Sequence, residues 1–131
     1  MKKIVIRFNA PVILTFALLS LLALLLGNWT DGAATYQYFS VYRSSLSDPL
    51  TYVRFFGHVL GHADYEHYMG NMLLILLVGP GLEEKYGSGT MVWTIAVTAL
   101  VTGLVHFVFF PGSVLLGASG VVFMMIVLSS F

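Results

Sequence analysis

The sequence predicts an all-α protein, a polytopic bundle of transmembrane helices. Hydrophobic residues make up 58% of its 131 residues and charged residues only 9%, against roughly 25% in an ordinary soluble domain. No Asp, Glu, Lys or Arg occurs from residue 86 to residue 131. A bilayer core needs ~20 apolar residues of helix, and four stretches of the chain approach that length. A disordered tail or an ordinary soluble domain does not have this composition.

Charge and cysteine content exclude further classes of function. Six basic and six acidic residues give zero net charge, so the chain has no basic face for nucleic acid and no long-range attraction for a charged partner. The chain has no cysteine, which excludes disulfides, thiolate nucleophiles and thiolate zinc sites. We expect the lipid bilayer, and no nucleic acid, among its partners.

The first predicted helix covers about residues 11–29, behind a basic start that contains Lys2, Lys3 and Arg7. A cleaved signal peptide is the alternative for residues 1–27. The apolar run is longer than a typical signal sequence, and the Gly-Ala-Ala segment from Gly32 is a weak cleavage site, so we favour a retained membrane helix.

The distribution of basic residues predicts an orientation for this helix. The basic start and Lys85 fall on one side of the membrane, whereas Arg43 and Arg54 fall on the other. The positive-inside rule then places the N-terminus in the cytoplasm of a multi-pass protein, which in a prokaryote means the plasma membrane.

A long connection, about residues 28–61, precedes the second helix. It is rich in aromatic side chains: Trp29, Tyr36, Tyr38, Phe39, Tyr42, Tyr52, Phe55 and Phe56. Aromatic rings with a polar atom favour the membrane–water boundary, so we expect this loop to lie partly embedded along the outer surface. Further helices are predicted at about 67–82, 90–110 and 114–131, all within one domain.

Polar residues open the second predicted helix. His67 and Asn71 are four residues apart, which places them on one face of a helix. Polar side chains in a membrane helix are costly and usually face the bundle interior, which makes them candidates for function. The alternative is that they hydrogen-bond neighbouring helices as packing contacts.

A zinc site is not expected among the histidines. His62 and His67 are five residues apart, about 140° around a helix, and the His-Glu-x-x-His pattern is absent, so a metal requires His62 to lie in the loop. Otherwise, we expect His58 and His62 to be loop histidines at the interface. We expect His106 to be hydrogen-bonded near the outer end of the third helix.

A second cluster, Gly117-Ala-Ser119-Gly120, opens the last predicted helix. Free backbone N–H groups and the positive end of the helix dipole surround a serine at this position. That environment suits an oxyanion formed when the serine oxygen attacks a carbonyl. The alternative is that Ser119 is a helix N-cap among small packing residues.

The two clusters together resemble the rhomboid family of intramembrane serine proteases. His-x4-His-x3-Asn opens one membrane helix, and Gly-x-Ser-Gly opens another two helices later. Between them, Gly79, Glu83 and Gly87 match the family's pattern closing the second helix. Arg54 resembles the family's loop arginine, and Val53 stands where the family often has Trp.

The resemblance implies a role for each polar residue. Ser119 is the nucleophile, attacking a peptide bond of a transmembrane protein substrate near the outer leaflet without a metal or cofactor. His67 and Asn71, with backbone N–H groups, stabilise the oxyanion, and His62 supports that region. Glu83 and its neighbouring glycines are structural.

The resemblance also implies a Ser–His dyad whose histidine lies on the sixth helix of a six-helix fold. Four such helices are predicted here, so we expect a C-terminally truncated part of a longer serine-type endopeptidase, inactive alone because a serine needs a base. Two alternatives stay open. One is a rhomboid-like pseudoprotease that binds membrane clients without cleaving them, and the other is a membrane protein with no catalytic role.

Overall fold

The computed structural model describes residues 9–131, and these form a bundle of six α-helices. In chain order the helices are α1 (Pro11–Trp29), α2 (Ala33–Tyr38), α3 (Pro49–Gly57), α4 (Tyr65–Tyr86), α5 (Ser88–Phe109) and α6 (Ser119–Ser129). The basic start with Lys2, Lys3 and Arg7, used above to predict the orientation, lies outside the described residues.

Two of the helices have the length and hydropathy of membrane spans. α1 has 19 residues with a mean hydropathy of 2.2, and α5 has 22 residues with a mean hydropathy of 2.0. α4 has 22 residues, as α5 does, but it carries charged residues at both ends. α6 has only 11 residues. The prediction of four spans is therefore supported in the described residues for α1 and α5.

The predicted helix boundaries hold best where a local signal marks them. α1 begins at Pro11, which suits the first turn of a helix because it has no N–H to satisfy. α4 begins at Tyr65, earlier than the predicted 67, because the Asp64 carboxylate caps it. It ends at Tyr86, because the next residue, Gly87, has a positive φ of 89°; the Gly87 N–H donates to Glu83 O at 2.8 Å.

The fourth predicted helix, which was expected from about residue 114, begins only at Ser119. Residues before it are extended: Leu115 and Val41 exchange backbone hydrogen bonds of 2.8 and 2.9 Å. The prediction of helix over 114–118 is wrong, because this segment pairs with the connection that follows α2.

The connection between α1 and α4 contains two short helices, α2 and α3, rather than an irregular loop. Arg54 of α3 is only 5% exposed. Its Nε donates to Gln37 O at 2.8 Å, and its guanidinium lies over the Tyr42 ring, 4.6 Å from the centroid. Asp48, at 3.8 Å, balances its charge. Arg54 therefore joins α2, α3 and the segment between them.

α4 lies at the centre of the bundle and packs against α1, α5 and α6, while α3 packs on α5. The fully buried side chains Ile13, Ile75, Met91 and Met125 come from these four central helices. This packing brings the first turn of α4 beside the first turn of α6, where both polar clusters of the sequence lie.

Candidate active site

A cavity of about 680 Å³ lies between the first turns of α4 and α6. Its polar lining comes from His62, Glu66, His67, Asn71 and Ser119. The cavity therefore brings together the four residues to which the family resemblance assigns the reaction. An apolar pocket of about 400 Å³ between α1, α3 and α5 has no titratable side chain in its lining.

Ser119 is the first residue of α6, and its side chain faces the cavity. It is exposed, and none of the hydrogen bonds within residues 9–131 involves its Oγ. The N-cap is Ala118, which cannot cap with its side chain. The alternative that Ser119 serves as the helix cap is therefore wrong.

The backbone before Ser119 is held in a turn that requires glycine. Gly117 has a φ of 117°, a region that side chains with a Cβ rarely adopt, and its N–H donates to His58 O at 2.8 Å. The N–H groups of Ser119 and Gly120 belong to the first helical turn and have no acceptor within the described chain. Two backbone donors are thus available beside the Ser119 hydroxyl.

His62 connects α4 with the start of α6. It lies in the loop before α4, and its Nε2 accepts from Asn71 Nδ2 at 3.1 Å and from the Ala118 N–H at 3.4 Å. Because Nε2 accepts, the ring proton lies on Nδ1, which is buried and has no partner in residues 9–131. Burial lowers the pKa of His62 and keeps the ring neutral.

His58 and His62 are buried within the protein, each only 2% exposed, and His62 lies in the loop before α4 as expected. Their position at the membrane interface stays a prediction. His58 ends α3, and its Nε2 bonds Ala99 O of α5 at 2.8 Å. Desolvation lowers its pKa as well. His106 is hydrogen-bonded near the end of α5, as predicted, through Nε2 to Ser113.

His67 and Asn71 both line the cavity, one turn apart on α4, but they have different partners. Asn71 bonds His62, whereas the His67 ring turns toward Asp64, with Nδ1 and Oδ1 2.7 Å apart. The His67 side chain is 68% exposed. Asp64 was not among the residues selected from the sequence, although an Asp just before an apolar helix and three residues before His67 is a typical N-cap signal.

Gly79, Glu83 and Gly87 lie away from the cavity, at the other end of α4. Glu83 is 3% exposed and accepts from the Val12 and Ile13 N–H groups at 3.1 and 2.9 Å, and from Ser88 Oγ at 2.6 Å. A Cβ at Gly79 would approach the Ile13 side chain to 2.8 Å. Glu83 and Gly79 therefore join the end of α4 to the start of α1.

On the side of α6 that faces α5, a Cβ at Gly120 would meet Thr102 at 3.6 Å, an ordinary contact distance.

A metal site would require His62 to lie in the loop before α4. It does lie there, but its Nε2 already accepts two hydrogen bonds. The described part of the chain assembles no group of three or more His, Asp or Glu side chains that could hold a metal ion.

Comparison with known proteins agrees with the geometry. The family model of the Rhomboid domain matches residues 49–131, which include α3 to α6 and the whole cavity between α4 and α6. No curated protein matches the chain. The match covers more than half of the 131 residues, and together with two apolar helices of spanning length it identifies an integral membrane protein. The chain belongs to the rhomboid family.

Proposed function

We propose that this protein is an intramembrane serine endopeptidase that cleaves transmembrane proteins with Ser119 as the nucleophile. The observation that supports the proposal is the environment of the Ser119 hydroxyl. Its hydroxyl is exposed in a cavity that five polar side chains help to line, free of hydrogen bonds within residues 9–131, and adjacent to two unpaired backbone N–H groups. A serine that only packed or capped a helix would not require this environment.

The neighbouring groups suit the steps of acyl transfer. Attack by the Ser119 oxygen on a peptide carbonyl moves the carbonyl electron pair onto oxygen, while a general base takes the serine proton. Collapse of this intermediate breaks the C–N bond, and the base returns the proton to the leaving amine and leaves the acyl-enzyme. The N–H groups of Ser119 and Gly120 and the side chains of His67 and Asn71 are the donors on hand for that oxyanion. His62 holds Asn71 in place by accepting from its Nδ2. The cavity is large enough to hold the water that hydrolyses the acyl-enzyme, and its polar side chains offer that water hydrogen-bond partners.

The general base in this proposal comes from outside residues 9–131. The chain has four histidines, and three of their rings are engaged elsewhere: His58 with Ala99, His62 with Asn71 and Ala118, and His106 with Ser113. The fourth, His67, is the oxyanion donor. We therefore expect residues 1–131 alone to be inactive, and the protein that contains them to supply a histidine from a further membrane-spanning helix of a rhomboid fold that has six such spans.

Labelling with a fluorophosphonate tests the proposal, because this reagent reacts only with an activated serine. We expect the complete protein containing this chain, in detergent, to be labelled, and Ser119→Ala to abolish the label. Ser113→Ala is the matched control, an exposed serine outside the cavity that bonds His106, and should keep the label.

Residues 1–131 alone should remain unlabelled. A folded, unlabelled complete protein would favour a pseudoprotease that binds membrane clients without cleaving them. Label that persists in Ser119→Ala would assign the reactive serine elsewhere.

A further inference from the structure

One oxygen of Asp64 holds His67 at two points. Asp64 Oδ1 accepts from the His67 backbone N–H at 2.8 Å and from the His67 ring Nδ1 at 2.7 Å. The first bond caps α4, because it satisfies an N–H of the first helical turn. The second bond satisfies no backbone group of the helix; it fixes the orientation of the imidazole ring.

The ring contact determines which nitrogen faces the substrate. An aspartate oxygen can only accept, so Nδ1 carries a proton and Nε2 is the atom left without a protein partner in the described residues. The hydrogen bonds from His67 hold the pKa of Asp64 below its ordinary value, so the carboxylate is ionised at neutral pH. His67 also lines the cavity that contains Ser119.

We propose that Asp64 is a positioning residue that orients His67 by its Nδ1 and reserves Nε2 for the oxyanion. The proposal rests on the proposed function and adds to it a residue outside the family pattern found in the sequence. Nε2 can donate only when the ring carries both protons, and the Asp64 carboxylate, with Oδ1 2.7 Å from Nδ1, is the acceptor for the proton on that nitrogen.

No other charged or titratable group near His67 in the described residues makes the contact with its ring that Asp64 makes. His62 is neutral because it is buried, and Glu66 lines the cavity without a hydrogen bond to the His67 ring. α6, which faces His67 across the cavity, has no titratable side chain. Asp64 is therefore the group that can control the ring.

Substitutions at Asp64 must distinguish the effect of its hydrogen bond to the His67 backbone N–H, which caps α4, from the effect of its hydrogen bond to the His67 ring. Serine caps a helix about as well as aspartate, but its shorter side chain leaves Nδ1 unpaired. Asparagine keeps both the cap and an acceptor oxygen but removes the charge. Alanine removes the helix cap, the acceptor for Nδ1 and the charge. Asp64→Ser and Asp64→Asn should therefore melt close to wild type, whereas Asp64→Ala should be less stable.

Nitrogen-15 NMR of the imidazole in detergent micelles tests the contact without requiring activity, with His67→Gln used to assign the signal. At a pH where the ring is neutral, we expect the proton on Nδ1 in wild type and a shift toward Nε2 in Asp64→Ser. A wild-type ring protonated on Nε2, or an Nδ1 proton that survives in Asp64→Ser, would overturn the proposal.

Kinetics of the complete protein test the consequence. We expect Asp64→Asn to lower kcat by about three- to tenfold with little change in KM, since the charge acts only on the transition state. In a His67→Gln background, the same substitution should cost nothing further. An equal loss in both backgrounds would contradict a role through His67. An inactive wild type would refute the proposed function instead, and the NMR result would still decide whether Asp64 controls the ring.

Discussion

Two buried histidines, His58 and His62, make the region around the candidate site sensitive to acid. Burial lowers the pKa of each below the ordinary value of 6.5. Below about pH 6.5, the unfolded chain therefore binds protons that the folded protein does not. The free energy of unfolding should fall as the pH decreases through this range, by at most about 1.4 kcal/mol per pH unit for each histidine.

Substitution of His62 by glutamine tests this prediction. The amide oxygen of Gln can accept from Asn71 and Ala118 as Nε2 does, but it does not titrate. We expect a weaker dependence of the unfolding free energy on pH between about 5 and 6.5 in His62→Gln, and a still weaker one when His58→Gln is added. An unchanged slope in both variants would mean that neither ring is protected from protonation in the folded protein.

The sequence could predict which polar residues meet, but not all of their contacts. Helical spacing placed His67 and Asn71 on one face, and both line the cavity with Ser119. The buried His62 accepts a hydrogen bond from the backbone N–H of Ala118, 56 residues away, a contact that no local pattern reveals. Asp64 was missed although its position as an N-cap is a local signal. The roles of Ser119 and its neighbours in catalysis remain predictions.

Among the elements, the junction of α4 with α1 depends on Glu83. Its buried carboxylate accepts from Val12 and Ile13, whose N–H groups belong to the first turn of α1 and have no acceptor inside that helix. The helix was predicted to end near residue 82, but it continues through Glu83 to Tyr86. The boundary of α6 was also wrong, because an apolar run does not reveal that Leu115 pairs with Val41.

Glu83→Ala should lower the free energy of unfolding by about 2–4 kcal/mol, because it leaves two N–H groups of α1 and the Ser88 hydroxyl without their acceptor. Glu84→Ala is the matched control: the neighbouring carboxylate is exposed, and its loss should change stability by less than about 0.5 kcal/mol. Chemical or thermal unfolding in detergent measures both. Equal effects of the two substitutions would show that the Glu83 contacts do not stabilise the junction.

For the whole molecule, the arrangement of helices predicts which side of the membrane the cavity faces. The cavity, the α2–α3 connection and the end of α5 lie together, whereas the turn between α4 and α5 lies at the other end of α4. By the positive-inside rule, we expect the end that carries Lys85 to face the cytoplasm. Ser119 then opens toward the outer face, where the substrate's peptide bond would enter.

Cysteine accessibility tests this orientation, because the chain has no cysteine of its own. Ser47→Cys places an exposed thiol between α2 and α3, and Gly89→Cys places one at the start of α5, where a side chain meets no neighbour within 4 Å. We expect a membrane-impermeant maleimide to label Ser47→Cys in intact cells, and to label Gly89→Cys only after the membrane is permeabilised. The opposite pattern would place Ser119 on the cytoplasmic side. It would also refute cleavage near the outer leaflet while leaving Ser119 itself as the candidate nucleophile.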